Sequence, residues 1–326
     1  MEEKQLKKLN VLLLIMMAVA LVLAGCKGAQ SGKEEDAGGG KASLEEKAGF
    51  PVKVKDALDK EVAIEEKPGR IISLIPSNTE IVYALDHGEA ITGVTDFDNY
   101  PEEAAKKEKI GGMEINIEKM ISLKPDLVLA HESTADSVKA GLQQLEDAGI
   151  DVVVVNDAQS FDEVYESIRM IGSSIGEPEK ADKLIEDMKN QFADLKKQAE
   201  AVKEQKTVFV EVAPEPEIYT AGKHTFIDDM LSLIGARNAA SDMEGWAKVD
   251  QEAMVERDPD VIITTYGYYT EKPTEQVLSR KGWNQVKAVK DKQVHDVHSD
   301  LVTRSGPRLA EGAEELAKAI YPDIFK

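Results

Sequence analysis

A chain of 326 residues is long enough to fold around two separate cores. Asp and Glu number 61 against 40 Lys and Arg, a formal net charge of −21. That balance argues against a nucleic-acid partner, since phosphate contacts need clustered basic side chains.

The N-terminus reads as an export signal. Lys4, Lys7 and Lys8 precede an apolar run from Val11 to Leu23, and small residues follow at Ala24 and Gly25. The run is shorter than the ~20 residues a membrane helix needs. Cys26 comes next; it is the sole cysteine, so no disulfide partner exists for it. Leu23-Ala24-Gly25-Cys26 resembles a bacterial lipobox, which implies cleavage before Cys26 and lipidation of its thiol. The expected order is a signal peptide over 1–25 and a flexible tether over 26–49. The tether's Gly, Ser, Ala, Lys and Glu cannot bury enough apolar surface to offset the entropy of ordering. The folded body would then be anchored by lipid to the cell membrane, facing outside the cytoplasm.

Phe50 to Ile64 alternates apolar and polar residues around Asp59-Lys60, the pattern of a small hairpin. A first lobe over 50–176 continues with a strand at Arg70 to Ile75. Ser77 and Glu80 then stand as a capping box for a helix through Leu85. A strand (Ile91 to Thr95), the loop Asp96 to Pro101 and the turn Gly111-Gly112 lead to a short helix at Glu118. The strand Leu127 to His131, a helix (Ser137 to Ala148) and the strand Asp151 to Val155 complete the alternation, which implies a parallel sheet.

A joining segment over 177–206 holds a long polar helix, Glu179 to Gln205. Leu184, Met188, Phe192, Leu195 and Ala199 form one apolar stripe on it. About 27 residues at 1.5 Å each span about 40 Å. The second lobe, 207–326, repeats the theme with strands at Thr207 to Val212, Val261 to Thr265 and Val294 to Val297. Its helices are Ile227 to Ile234, a short one at Glu252, and Arg308 to Ile320.

The two halves echo each other. Glu118 precedes Pro125-Asp126 and an apolar run, and Glu252 precedes Pro259-Asp260 and another at the same interval. So long a period is no solenoid. The expected fold is α/β: two similar lobes with parallel-type sheets, joined by one long α-helix, with a ligand cleft between them. With one helix joining the lobes, motion on binding is expected to be small and hinge-like.

Other motifs carry little. Gly172-Ser173-Ser174-Ile175-Gly176 matches a nucleophile elbow, but a helical pattern precedes it and Glu177-Pro178 follows, so it reads as a helix end. Gly222-Lys223-His224-Thr225 lacks the first glycine of a P-loop. His295 and His298 sit at the end of a β run, where their side chains point to opposite faces. No ligand-spaced acidic cluster surrounds His87 or His131, and His87 and His295 read as surface residues. No catalytic set is legible, so neither an enzyme nor a resident metal or cofactor is expected.

The run Arg70-Ile-Ile-Ser-Leu-Ile-Pro-Ser-Asn-Thr-Glu80, the segment Asn116-Ile-Glu-Lys-Met-Ile-Ser-Leu-Lys-Pro-Asp-Leu-Val128 and Gly306-Pro-Arg-Leu309 resemble a bacterial ABC-importer substrate-binding lipoprotein. The resemblance is to the cobalamin and ferric-siderophore group and covers Gly69 to the C-terminus. Phe97-Asp98-Asn99-Tyr100-Pro101 and Trp246-Ala247-Lys248-Val249-Asp250-Gln251-Glu252 are most similar to cobalamin-binding members. Such members can carry a tryptophan just before the Asn-x-Glu segment, where this chain has Gly112-Met113.

The resemblance implies a monomeric importer component that captures cobalamin or a related corrinoid, with ferric siderophore or haem as the alternative. It would hand this small organometallic ligand to a permease dimer with its ATPase. A cleft enzyme and a lipid-anchored sensor are the other uses open at this stage. Ligand contacts are expected from Phe97 and Tyr100 in one lobe, and from Tyr219 (in the loop after the strand Thr207 to Val212), Trp246 (in a Gly-rich loop) and Arg304 in the other. Glu118 and Glu252 would dock one on each permease subunit, although a carboxylate near a helix N-terminus is favourable on its own account.

Overall fold

The structure, a computed structural model, describes residues 49–326. The export signal, Cys26 and nearly all of the tether lie outside the described residues. The hairpin pairs β1 (Val52–Lys55) with β2 (Glu61–Ile64). Asp56 closes its turn, its carboxylate accepting from the backbone of Leu58 and Lys60 at 2.9 Å. The first sheet comprises β3 (Ile71–Ser73), β4 (Ile91–Val94), β5 (Glu108–Lys109), β6 (Leu127–His131) and β7 (Asp151–Val155). They lie in the order β5-β4-β3-β6-β7, all parallel. The helices of this lobe are α1 (Pro76–Ala84), α2 (Glu102–Ala105), α3 (Ile117–Ser122), α4 (Glu132–Asp147) and α5 (Phe161–Ser174). The serine motif at Gly172 falls at the end of α5, with Gly176 at φ 72 just beyond.

The joining helix α6 is Pro178–Ala199, shorter than its polar composition suggested. Ala181, Ile185, Met188, Phe192 and Leu195 are its buried face. The stripe ends at Ala199, and Lys203, Glu204 and Gln205 have no apolar face with which to hold another turn.

The second lobe contains β8 (Thr207–Ala213), β9 (Tyr219–Ala221), α7 (Phe226–Leu233), β10 (Arg237–Asn238), β11 (Trp246–Lys248), α8 (Gln251–Arg257), β12 (Val261–Thr264), α9 (Pro273–Leu278), α10 (Lys287–Lys290), β13 (Val294–Asp296), α11 (Ser299–Thr303) and α12 (Leu309–Ile320). Its sheet runs β11-β9-β8-β12-β13, with β10 added alongside β8. The parallel part, β10-β8-β12-β13, repeats the order β4-β3-β6-β7 of the first lobe, so the internal repeat of the sequence is a repeat of topology. Tyr219 and Trp246, expected in loops, belong to the short antiparallel strands β9 and β11.

One apolar core crosses both lobes. It runs from Ile71, Leu85 and Ile168 through Ile185, Met188 and Phe192 of α6 to Val210, Met230 and Leu316. Phe161 stacks on Phe192 with ring centres 4.2 Å apart. The outer face of each sheet has its own cluster, around Val128 and Leu145 in one lobe and Phe209, Ile262 and Trp283 in the other. The lobes are therefore joined by packed side chains along α6 as well as by its backbone.

Polar contacts tie them again. The expected capping box does not form: Ile75 is the N-cap of α1, Pro76 opens the helix, and no side chain caps it. Glu80 is instead buried, 2 % exposed, between two arginines of the second lobe. Its Oε1 accepts from Arg304 Nη1 at 2.8 Å and Arg308 Nη2 at 2.7 Å, and its Oε2 accepts from Arg308 Nε at 2.8 Å. Asn99 Nδ2 donates across the same seam to Asp300 at 2.8 Å. Replacing Glu80 with alanine strands two half-buried guanidinium groups. A loss of about 3 kcal/mol is expected, read as a lower urea midpoint at unchanged slope; an unaltered midpoint would show that the pair merely breaks even with its desolvation.

Candidate functional site

Where the lobes face each other, a cavity of about 190 Å³ lies between the carboxyl ends of β3, β6 and β7 and the second lobe. Open parallel sheets place ligands in this position, because the loops leaving their strands converge there. Its walls include Pro76, His131 and Gln159 from one lobe and Phe226, Trp246 and Arg304 from the other.

Trp246 and Arg304 are thus brought to the cleft. Trp246 is 39 % exposed, and its ring meets Phe226 edge-on with centres 5.5 Å apart. Arg304 is already committed. Besides Glu80 it donates to Asn99 Oδ1 at 2.8 Å and the Phe97 carbonyl at 3.3 Å, and it pairs with Asp300 at 3.0 Å. Its first task is joining the lobes.

Phe97 and Tyr100 do not line the cavity; they stand exposed on the loop that docks against Arg304 and Arg308. The Arg308 guanidinium lies 3.9 Å from the centre of the Tyr100 ring, a cation–π contact across the seam. The loop is held from within. Asp98, 3 % exposed, accepts from the Thr95 backbone at 2.9 Å and the Thr95 hydroxyl at 2.5 Å. Lys109 Nζ donates to the carbonyls of Thr95 and Asp98 at 3.0 and 2.9 Å. Gly112 backs this loop so closely that a Cβ there would sit 3.3 Å from the Phe97 ring. Met113 is 90 % exposed. Tyr219 lies at the outer part of the second sheet, opposite Lys248, and does not reach the cavity.

Two further tyrosines are exposed in the second lobe. Tyr268 and Tyr269, 69 % and 56 % exposed, pack edge to face at 4.7 Å in the loop after β12. Beneath them Tyr266 donates to Glu211 at 2.5 Å, and Arg280 grips both Glu211 oxygens at 2.8 Å.

His131 is buried at the cleft. It ends β6, caps α4 six residues ahead of that helix's expected start at Ser137's turn, and is 3 % exposed. His295 is half-buried, contrary to the surface position expected, and burial lowers its pKa. Among the described residues no group of three or more His, Cys, Asp or Glu side chains is arranged to hold a metal ion.

Glu118 and Glu252 are both exposed and occupy the same position in their helices. The caps are the residues two places earlier: Asn116 accepts from Lys119 N at 2.9 Å, and Asp250 accepts from Glu252 N at 2.8 Å. The glutamate side chains are left free of capping. Beside Glu252 lies a wider, shallow hollow of about 980 Å³ walled by Lys248, Lys281 and Trp283.

Two α/β lobes with a cleft between them, joined along one helix, define a solute-binding architecture. The chain belongs to the periplasmic binding protein family, which it matches over residues 71–301. It is 50% identical over 313 residues to the uncharacterized ABC transporter substrate-binding lipoprotein YvrC of Bacillus subtilis, covering 95% of this chain and 96% of that one. It is 32% identical over 259 residues to a vitamin B12-binding protein of Pectobacterium atrosepticum, covering 78% of this chain and 88% of that protein. A crystal structure of a possible iron-binding, periplasmic solute-binding protein from Staphylococcus epidermidis shares 41% identity at a TM-score of 0.72, covering 78% of this chain and all of that one (100%).

The Asp98 carboxyl makes a pH-dependent prediction. Burial holds it above the usual 3.8, against the hydrogen bonds from threonine and the charge of Lys109. The unfolded chain therefore loses this proton first. The stabilisation is complete below the unfolded pKa and fades as pH rises toward the raised folded value. Asp98→Asn keeps an acceptor for Thr95 without the charge. Urea midpoints should shift in the variant's favour as pH rises above about 4, and a difference that does not change with pH would place the cause elsewhere.

Proposed function

We propose that this protein is the extracytoplasmic substrate-binding component of an ABC importer, held to the membrane through a lipid on Cys26, and that its ligand is cobalamin or a related corrinoid. The observation that carries the ligand class is the likeness to the vitamin B12-binding protein over most of both chains. Aromatic rings supply contact area for a large macrocyclic ligand, and polar groups orient it. Trp246 is the first of these, with Phe97 and Tyr100 on the facing rim and Tyr219 farther out.

The cavity of about 190 Å³ is below the roughly 300–1,000 Å³ of ligand pockets. A corrinoid needs more room than this, so its binding requires the lobes to stand farther apart. A ferric chelate or haem is the second reading, favoured by the likeness to the possible iron-binding protein.

Glu118 and Glu252 are proposed to dock onto a two-fold permease dimer, one carboxylate to each subunit. Supporting this, both are exposed at equivalent sites and neither serves as its helix's cap. Charges at such a rim govern encounter and orientation more than affinity.

Purified protein should retain the red absorption of a corrinoid through gel filtration, and retention of haem or a ferric siderophore in its place would select the second reading. Trp246→Ala should weaken that binding by about 1–3 kcal/mol with little change in melting temperature; lost stability at unchanged affinity would make it a core residue. Reversing both docking charges (Glu118→Arg with Glu252→Arg) should leave binding intact and abolish uptake in cells. Full uptake by the double variant would remove both residues from docking.

A further inference from the structure

Asn99 lies in the rim loop of the first lobe and is exposed, yet both ends of its side-chain amide are held by the second lobe. Its Oδ1 accepts from Arg304 Nη1 at 2.8 Å, and its Nδ2 donates to Asp300 at 2.8 Å. That orientation is forced, because a guanidinium only donates and a carboxylate only accepts. Arg304 and Asp300 are themselves paired at 3.0 Å, so the amide closes a ring of three side chains across the seam. Arg304 is also part of the cavity wall. What Asn99 grips therefore belongs to the cleft.

Two tiers of contact cross this seam, and they differ in their access to water. The Glu80 carboxylate is buried, its oxygens filled by Arg304 and Arg308. Breaking that tier leaves a buried charge without its partners, which is strongly unfavourable. The Asn99 bonds lie at the surface. Water takes up each donor and acceptor there as it is freed, so each bond contributes little net. The rim loop itself is stiff. Lys109 Nζ holds the carbonyls of Thr95 and Asp98 at 3.0 and 2.9 Å, and the Asp96 amide donates to the Gly111 carbonyl at 2.9 Å. Asn99 therefore moves with the first lobe as a unit.

We infer that Asn99 is a latch for the cleft: its bonds to Arg304 and Asp300 release first as the lobes part, while the Glu80 contacts beneath keep the lobes in register. Opening begins at the surface and uncovers the Arg304 wall of the cavity. Two hydrogen bonds to charged partners suffice to make the open form a minor population. They are too few for their loss to unfold either lobe, whose core is elsewhere. The latch rests on the proposed function only in taking the cavity as the way in for a ligand.

Ser77 can report the opening without any ligand. It is 4 % exposed in the cavity wall, and a Cβ placed on Gly306 would lie 3.9 Å from both Ser77 and Glu80, which sets it beside the seam. Ser77→Cys, made together with Cys26→Ala so that it is the sole thiol, is labelled with N-ethylmaleimide. Adding Asn99→Ala should raise the labelling rate about tenfold, while the urea midpoint falls far less than with Glu80→Ala. An unchanged or slower rate overturns the latch. Faster labelling with a midpoint loss as large as that of Glu80→Ala also overturns it, because Asn99 would then be a structural tie for the whole seam. Cyanocobalamin serves as the ligand probe and should associate and dissociate faster in Asn99→Ala. If cyanocobalamin fails to bind but Asn99→Ala still speeds labelling, the proposed corrinoid ligand falls and the latch stands.

Discussion

Glu80 leaves the first helix of one lobe and ends among groups of the other. Moving a carboxylate out of water costs several kcal/mol unless its oxygens are filled. Here three guanidinium hydrogen bonds fill them, two from Arg308 and one from Arg304. The same two arginines reach the rim loop, Arg304 through Asn99 and the Phe97 carbonyl, Arg308 over the Tyr100 ring. One buried charge therefore sets the distance between the lobes and the placement of the aromatic rim. At the far side the apolar core along α6 sets the other limit. The cleft is the space left between these two constraints.

Each lobe supports its exposed rings on a buried polar group. Asp98 and Lys109 hold the loop bearing Phe97 and Tyr100. In the second lobe Glu211, fully buried, is gripped by Arg280 and Tyr266 below Tyr268 and Tyr269. Glu211 draws the Arg280 charge into the interior: burial works against it, and the paired carboxylate more than compensates, raising the arginine's pKa. Burial also drives the Tyr266 hydroxyl far up, with the neighbouring carboxylate adding to it, so it stays a proton donor. Exposed aromatics would otherwise collapse onto the nearest apolar surface. A fixed base keeps them presented.

Local pattern was readable along the chain wherever the cause was local. The stripe on α6, the β runs ending at His131 and Val155 and the Pro-Asp repeats arise from neighbours a few residues apart, and the structure has them at or near the expected places. Short edge strands were not readable. Residues 246–248 make a strand only because residues 219–221 lie beside them. Without that neighbour, Gly245 and the charges nearby look like a loop.

The sequence by itself determined that this chain has two related α/β halves, a helix between them and matching glutamates, because periodicity and spacing are properties of neighbouring residues. Only the tertiary structure decided that Glu80 and Arg304 pair across the two lobes and that His131 is buried. Ser77 and Glu80 satisfy a capping pattern, but the partners that claim Glu80 lie 224 and 228 residues away in the chain. The environment of His131 is made by the convergence of loops from both lobes. Burial and ion pairing depend on what arrives from elsewhere in the fold, and no local window of the sequence contains that.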